Sequence, residues 1–586
     1  MKDFKKIFID FEVFPQDWLL VAKDIDNRNS KKIIVNDRDE LIAFYKKHKD
    51  DLFVGYNIRG YDQFIFKGIL AGFNPEEVSL FIITKGHQGY NFDESMNNIP
   101  LNFFEVGDIQ RSLKELEGFM GADIVETSVD FTTNRKLTED EIKLTLKYCE
   151  HDVDQGIEVF NRRITEYNNI YSLVDSYDLP FRYMSKTKAQ ISAAILECQR
   201  PKKPRNDEFD IQLVPTLRIK KYQKVVDWFL DKKNYHYDSE FEMDICGVPH
   251  KFGWGGIHGC PDKPLYREGT LLHVDVNSYY PSIMIEYNLL SRNSRQPQKY
   301  TEIYRKRLQL KKEGKKKEQA PLKVVLNATY GMTKDKNSSA YDPRQANNIC
   351  INGQLMLVDL LEHLEGHCEI IQSNTDGIIV YVPDPEKELE NVKAICKEWE
   401  DRTRMGLGVD GIDLIYQKDV NNYCCKFSNG KLERKGSYVK EQNDLDYDLP
   451  IVNEAMVKYL MEGVPIEDTI NGCKELIKFQ KIVKISSKYN HGMHNKEELP
   501  FKTFRVFAST DLKDTALYKL KKGGRPEKFA NTPDCCFLDC GDVKNSRVPR
   551  KLDRSWYIDL AKTRLKQFGI NFKDEEKEVQ DSGSLF

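Results

Sequence analysis

The apolar positions along the chain fall into a few legible patterns. Ile7-Phe8-Ile9-Asp10-Phe11-Glu12-Val13-Phe14 has the composition of a buried strand. Strand side chains alternate, so Asp10 and Glu12 are expected side by side on one face. A second apolar run passes through Val54-Gly-Tyr-Asn57-Ile-Arg-Gly-Tyr61-Asp62 into Phe64–Leu70, which reads as helix. Thr138-Glu-Asp-Glu141 predicts a capping box opening another helix, on which Tyr148 and Asp152 share a face at i, i+4. Further on, Leu271-Leu-His-Val-Asp275 predicts a strand that ends in an acid, with a turn at Pro281. Pro321–Gly331 has helical spacing, and Lys323, Asn327 and Tyr330 fall on one face. Glu369–Tyr381 predicts a β-hairpin, two apolar runs flanking a polar tip that ends in Asp376-Gly377. Helices are predicted near 452–463 and 555–567, and Gln199–Asp207, polar with two prolines, predicts a linker or exposed loop.

Composition narrows the class. At 586 residues the chain should hold roughly three or four domains. Forty per cent apolar residues exclude a disordered chain, and no run of 18 apolar residues offers a membrane span. Asp10 and Glu12 interrupt what would be a signal core, so a cytoplasmic location is expected. Thirteen cysteines in no repeating frame predict reduced thiols rather than a disulfide scaffold. A net charge of −3 conceals a basic stretch, Lys299–Lys323, with ten Lys/Arg against three Glu.

Paired carboxylates on an apolar strand repel one another and lose hydration, and a divalent cation is the simplest remedy. D-x-E (Asp10, Glu12), N-x-x-x-Y-D (Asn57 to Asp62) and Y-x-x-x-D (Tyr148 to Asp152) occur in order over residues 1–165. Together they resemble the three motifs of proofreading 3′–5′ exonucleases with an RNase H-like fold. The resemblance implies that Asp10, Glu12, Asp62 and Asp152 support two metal ions, that Tyr148 orients the attacking water, and that Asn57 holds a single-stranded end. Ser112-Leu113-Lys-Glu-Leu116 resembles the element these enzymes place beside the primer strand.

The later segments resemble motifs A, B and C of family B DNA polymerases: Asp275–Pro281, Lys323–Gly331, and Asn374-Thr-Asp376. Most relatives have D-T-D in motif C, and Asn374 departs from that while Asp376 keeps the expected ligand. The resemblance implies an α+β multidomain enzyme, with an exonuclease domain followed by a right-handed palm, fingers and thumb. Asp275, Asp376 and the Val276 carbonyl would hold two Mg²⁺, with Mn²⁺ as a substitute. Lys323 and Arg305 would face the nucleotide phosphates, with Arg307 as the alternative two residues on. Tyr280 would exclude a 2′-hydroxyl, and Asn327 and Tyr330 would line the nascent pair. Gly255 and Gly256 resemble the Y-x-G-G loop, with Gly253 in place of the Tyr, and Lys435 and Tyr438 resemble the K-x-Y motif with one extra residue between them; both pairs would contact DNA.

On this basis the expected domains are exonuclease (1–165), connection (166–260), palm (261–300), fingers (301–345), palm again (346–450), and thumb with tail (451–586). The intervals between motifs are short, 48 positions from Asp275 to Lys323 and 45 from Gly331 to Asp376. They leave no room for the insertions of terminal-protein-primed enzymes. Primer-template DNA and dNTPs are the expected partners, for a monomeric, phage-encoded replicase. Gln580, Leu585 and Phe586 resemble a peptide that binds the bacterial sliding clamp. The rival expectations are an exonuclease with a degenerate polymerase half and a non-catalytic nucleic-acid-binding scaffold.

Overall fold

A computed structural model describes residues 4–107, 110–499, 501–521 and 523–572. Gln580, Leu585 and Phe586 therefore lie outside the described residues. The fold is α+β and multidomain. Among the described residues no helix is long and apolar enough to cross a membrane, and all thirteen cysteines are free.

The first unit is built around a five-stranded sheet. Its central strand, β1 (Lys6–Val13), pairs antiparallel with β2 (Trp18–Asp24), which pairs with β3 (Lys31–Val35). On its other side β1 runs parallel to β4 (Leu52–Gly55), and β4 runs parallel to β5 (Phe103–Glu105). The order is β3-β2-β1-β4-β5. Parallel neighbours need long crossovers. One follows β4 and carries α1 (Asp62–Ala71); after β5 come α2 (Leu113–Phe119) and α3 (Glu139–Arg162). The capping box expected at Thr138 and Glu141 opens α3, a 24-residue helix that packs on β1 and β2. Gly156 permits that approach, since a Cβ there would stand 2.1 Å from the Phe8 ring.

The second unit is a nine-stranded sheet in the order β14-β13-β12-β9-β11-β10-β8-β7-β6. Its strands are β6 (Glu240–Ile245), β7 (Val248–Gly253), β8 (His258–Gly259), β9 (Leu265–Val276), β10 (Glu369–Asn374), β11 (Gly377–Tyr381), β12 (Leu407–Asp419), β13 (Asn422–Phe427) and β14 (Leu432–Lys435). Every pair that joins these strands between β6 and β8 or between β9 and β14 is antiparallel. Residues 240–259, expected as part of a connection, are strands of the same sheet as Asp275 and Asp376. The rest of that connection includes an extended strap fastened along α7 (Pro343–Leu364). The Asn348 and Asn352 side chains accept the backbone N–H of Gln212 and Val214 at 2.6 and 2.8 Å, satisfying strap groups that no strand pairs. Before α7 come α4 (Tyr279–Glu286) and a helical hairpin, α5 (Pro297–Lys312) and α6 (Lys316–Lys334), which presents the basic stretch.

The C-terminal helices Pro450–Glu462 and Arg554–Lys566 form close to the predicted places and share one core with Ile466–Gly472. Strands Lys481–Lys484, Thr503–Ala508 and Cys536–Leu538 make a small sheet that docks on α2. The fastening is Arg505, fully buried. Its guanidinium donates to the carbonyls of Gly118 at 3.2 Å, Ala122 at 2.7 Å and Asp539 at 3.1 Å, and to Gln480 Oε1 at 3.0 Å. Gly541 O is a further acceptor. A buried guanidinium is tolerated because its donors are matched this fully.

Candidate functional site

Two separate carboxylate groups stand out, one at the five-stranded sheet and one at the nine-stranded sheet. In the first, β1 presents Asp10 and Glu12 on one face as expected, and α3 lies across them. Ligand atoms of Asp10, Glu12 and Cys149 lie within 4.8 Å of one another, and the Cys149 thiol donates to Asp10 Oδ2 at 3.4 Å. Asp62, buried at the start of α1, accepts the Phe11 N–H at 3.2 Å, which brings its carboxylate to the same strand. Asp152 is buried on α3, one turn after Tyr148.

The electrostatics follow from burying like charges together. Burial, then the neighbouring Asp152, pushes Asp10 up to about 7, against a smaller pull from Cys149 and Lys114. Burial and the other acids hold Glu12 well above the usual carboxylate range, and Asp62 likewise. Burial raises Asp152 to about 6, with Lys114 pulling the other way. Burial and the carboxylates of Asp152, Glu12 and Asp10 drive the Tyr148 phenol far upward, so it stays protonated and able to donate. A set of hard oxygen donors that resists ionisation until a cation arrives fits Mg²⁺ or Mn²⁺.

Several residues around this group escape a motif reading. Glu105, at the end of β5, accepts the backbone N–H of Asn57 at 2.8 Å, of Arg59 at 2.9 Å and of Gly107 at 2.6 Å. It shapes the loop on which Asn57 stands exposed in a left-handed conformation (φ 64°). The Ser112 hydroxyl closes a capping box with Glu115, and Leu113 is half-buried at the first position of α2. The residue after them, Lys114, hydrogen-bonds Asp152.

The second group lies where β9 meets the β10–β11 hairpin. Asp275 at the end of β9 pairs in register with Gly377, and the Val276 N–H donates to the Asp376 carbonyl at 2.8 Å. Burial, then Asp376, raises Asp275 to about 6, with His273 opposing. Asp376 itself is exposed at the hairpin tip. The Asn374 side chain accepts the Thr375 N–H at 2.8 Å, so it shapes the turn. Two carboxylates beside a backbone carbonyl form a second set of hard donors that fits a divalent ion. Gly377 permits the approach, because a Cβ there would stand 2.9 Å from Val274 O and 3.3 Å from the Asp275 Cα. Gly377→Ala should therefore push the tip off β9. We expect this variant to melt below wild type, by the ~1–3 kcal/mol that overpacking costs. An unchanged melting midpoint would show that the tip tolerates the shift.

Around this pair the expected residues are placed as follows. Tyr280 on α4 and Tyr330 on α6 are in ring contact, centroids 4.5 Å apart, and the buried Cys350 thiol of α7 faces both. Lys323 and Asn327 are exposed on α6, on the face that carries Tyr330. Arg305 is exposed on α5, whereas Arg307, the alternative, turns inward, donating to Ser278 Oγ at 2.9 Å and Gln319 Oε1 at 3.2 Å. Two residues along a helix turn a side chain by ~200°, so only one of the two can face the motif A turn. Gly255 is exposed, and Gly256 packs against the Thr375 side chain, which puts that loop directly behind the hairpin tip. Lys435 is exposed at the end of β14, while Arg564 of the C-terminal helix lies over the Tyr438 ring at 4.6 Å. Beneath β10, the buried His250 ring bonds Ser373 Oγ at 2.5 Å, a support for the hairpin that no motif announced.

No protein-family model matches the chain. A DNA polymerase 1 from Sulfurisphaera ohwakuensis is 26% identical over 200 residues, covering 33% of this chain and 21% of the relative. A DNA polymerase 1 from Saccharolobus solfataricus is 27% identical over 191 residues, covering 31% of this chain and 20% of the relative. The chain thus matches about a fifth of the length of these curated relatives. The structure of a family B DNA polymerase from Pyrobaculum calidifontis aligns with 98% of this chain and 79% of its own, at 13% identity and a TM-score of 0.43, too low to carry weight. Over about a third of its length the chain is thus similar to proteins named DNA polymerase 1.

Proposed function

We propose that the chain is a DNA-directed DNA polymerase with an attached 3′–5′ exonuclease, acting on primer-template DNA and dNTPs. The observation that carries this is the apposition of Asp275 at a strand end and Asp376 at the adjoining hairpin tip, in a chain whose five-stranded sheet and its helices gather Asp10, Glu12, Asp62 and Asp152. One carboxylate group suits phosphoryl transfer onto a primer end, and the other suits hydrolysis of that end. On this reading the nine-stranded sheet is the palm, the α5–α6 hairpin the fingers, and the C-terminal helices part of the thumb.

At the polymerase site Asp275, Asp376 and the Val276 carbonyl would hold Mg²⁺. At the exonuclease site Asp10, Glu12, Asp62 and Asp152 would hold it. When bound, the metal stabilises charge on the attacking and leaving oxygens of an in-line displacement. The protein's own groups do the rest. Lys323 on the open face of α6 meets the nucleotide's phosphates, and an arginine of α5, Arg305 on its exposed side or Arg307 tied to the motif A turn, adds a second positive group. Tyr280, backed by Tyr330, closes the space beside the sugar and so selects deoxynucleotides by sterics. In the exonuclease, the protonated Tyr148 orients a water, and Asn57 on its Glu105-shaped loop holds the frayed end.

Short intervals between the motifs favour extension of RNA or DNA primers, and the size of the chain with the resemblance favours a compact, monomeric, phage-encoded enzyme. A gel assay on a 5′-labelled primer annealed to a longer template tests the central claim. With Mg²⁺ and dNTPs the primer should lengthen, and without dNTPs it should shorten. Shortening under both conditions would favour the exonuclease with a degenerate polymerase half. A folded chain that does neither would leave the binding scaffold.

The clamp proposal is separate and rests on sequence. Deleting Gln580–Phe586 should abolish stimulation by a bacterial sliding clamp while sparing basal synthesis. Stimulation that survives the deletion would rule out this tail as the clamp ligand.

A further inference from the structure

The exonuclease group contains a cation that its motifs do not account for. Lys114 comes from α2, not from the strand and helices that supply the acids. Its ammonium hydrogen-bonds Asp152, lies 3.0 Å from Glu117 Oε1, and sits 4.6 Å from the centre of the Tyr148 ring. It therefore touches an expected metal ligand and the expected water-orienting phenol together.

The lysine is held in place. Its side chain is only 12% exposed. Glu117, fully buried one turn along α2, pairs with it and accepts the Val125 N–H at 3.4 Å. The Ser112–Glu115 capping box fixes the first turn of α2, and Arg505 holds the carbonyl of Gly118 in its last turn. His151 Nε2 stands 3.7 Å from Glu117 on the side of α3.

We propose that Lys114 is a positioning residue of the exonuclease site, a tethered single positive charge that fixes Asp152 and Tyr148 and restrains how tightly the carboxylates take up a divalent ion. The proposal rests on the exonuclease reading above. The physical argument is one of shared ligands. Asp152 is bound to an ammonium, so an incoming ion must share that oxygen with a like charge a few ångströms away. Binding is weakened by that repulsion. In return the carboxylate and the phenol are already set when substrate arrives, which is what turnover requires. A lysine that only stabilised the fold would behave differently: its loss would loosen the site, and metal affinity and turnover would fall together.

The test uses the full chain carrying Asp275→Ala and Asp376→Ala, so that the other carboxylate pair is silent. Mn²⁺ is titrated by electron paramagnetic resonance without DNA, and degradation of a single-stranded oligonucleotide is followed separately. Lys114→Met should bind Mn²⁺ about tenfold more tightly. Its kcat should fall about 100-fold, with KM changed far less. Lys114→Arg, which keeps the charge, should bind Mn²⁺ as the parent does and recover part of the turnover, and it serves as the folded control if Lys114→Met is unstable. Unchanged or weaker Mn²⁺ binding in Lys114→Met would overturn the proposal, and so would unchanged turnover, or tighter binding in Lys114→Arg. Failure of the exonuclease reading is distinguishable. In that case the parent would not degrade the oligonucleotide, and adding Asp10→Ala and Glu12→Ala would leave its Mn²⁺ titration unchanged.

Discussion

Asp376→Ala is expected to lower primer extension about 10³–10⁴-fold, a loss of about 4–5.5 kcal/mol of transition-state stabilisation at 1.36 kcal/mol per decade, while primer degradation continues. The reasoning is geometric. Asp376 is exposed at a hairpin tip, so its removal leaves no buried hole and costs little stability. What it removes is one of the two carboxylates at the end of β9. Asp275 should at the same time become a more ordinary acid, because part of its elevation comes from Asp376. Extension that survives within about tenfold of wild type would mean that the catalytic pair has been misassigned.

The converse variant, Asp10→Ala with Glu12→Ala, should abolish primer degradation by about 10³-fold or more and leave extension intact. It carries a second, independent expectation. Asp10 is raised to about 7 in the fold from an ordinary value near 3.8. Between those values the folded chain holds a proton that the unfolded chain has released, so stability falls as pH rises through that window. At pH 8, with metal chelated, wild type bears the cost of an ionised Asp10 among crowded carboxylates. The double variant should then melt higher than wild type. Adding Mn²⁺ should raise the wild-type midpoint more than that of the variant, because a ligand that binds only the folded state stabilises it by mass action. Thermal scans with and without chelator decide this, and equal midpoints under chelation would contradict the assigned burden.

What the sequence made legible is what has a local period. Asp10 and Glu12 were readable because a strand alternates, Tyr148 and Asp152 because they stand one helical turn apart, and Asp376 because Asp-Gly closes a hairpin. Lys114 was not. A single lysine in a charged helix carries no signal, and its partner Asp152 is 38 residues away. Arg305 against Arg307 could not be settled either, since the choice depends on helical phase relative to Ser278, and phase is set by packing. Glu105 escaped because its partners are backbone N–H groups, which leave no trace in composition. Strands β6–β8 were hidden for a related reason. Their alternation is broken by Pro249, Gly253 and Gly255-Gly256, which read as connection until the sheet supplies neighbours.

Arg505 has a consequence for how the molecule is made. The carbonyl of Gly118 receives its guanidinium partner from a residue 387 positions later in the chain. At a synthesis rate of about 5–20 residues per second, that partner emerges roughly 20–80 s after the carbonyl does. Throughout that interval the end of α2 has no Arg505 to close on; Gln480 is added only 25 positions before it, and Asp539 follows 34 positions after it. The segment that delivers Lys114 to Asp152 is thus fastened late. The nascent N-terminal half holds its four acids long before it holds the brace behind them, and a fragment ending at residue 165 would never acquire it.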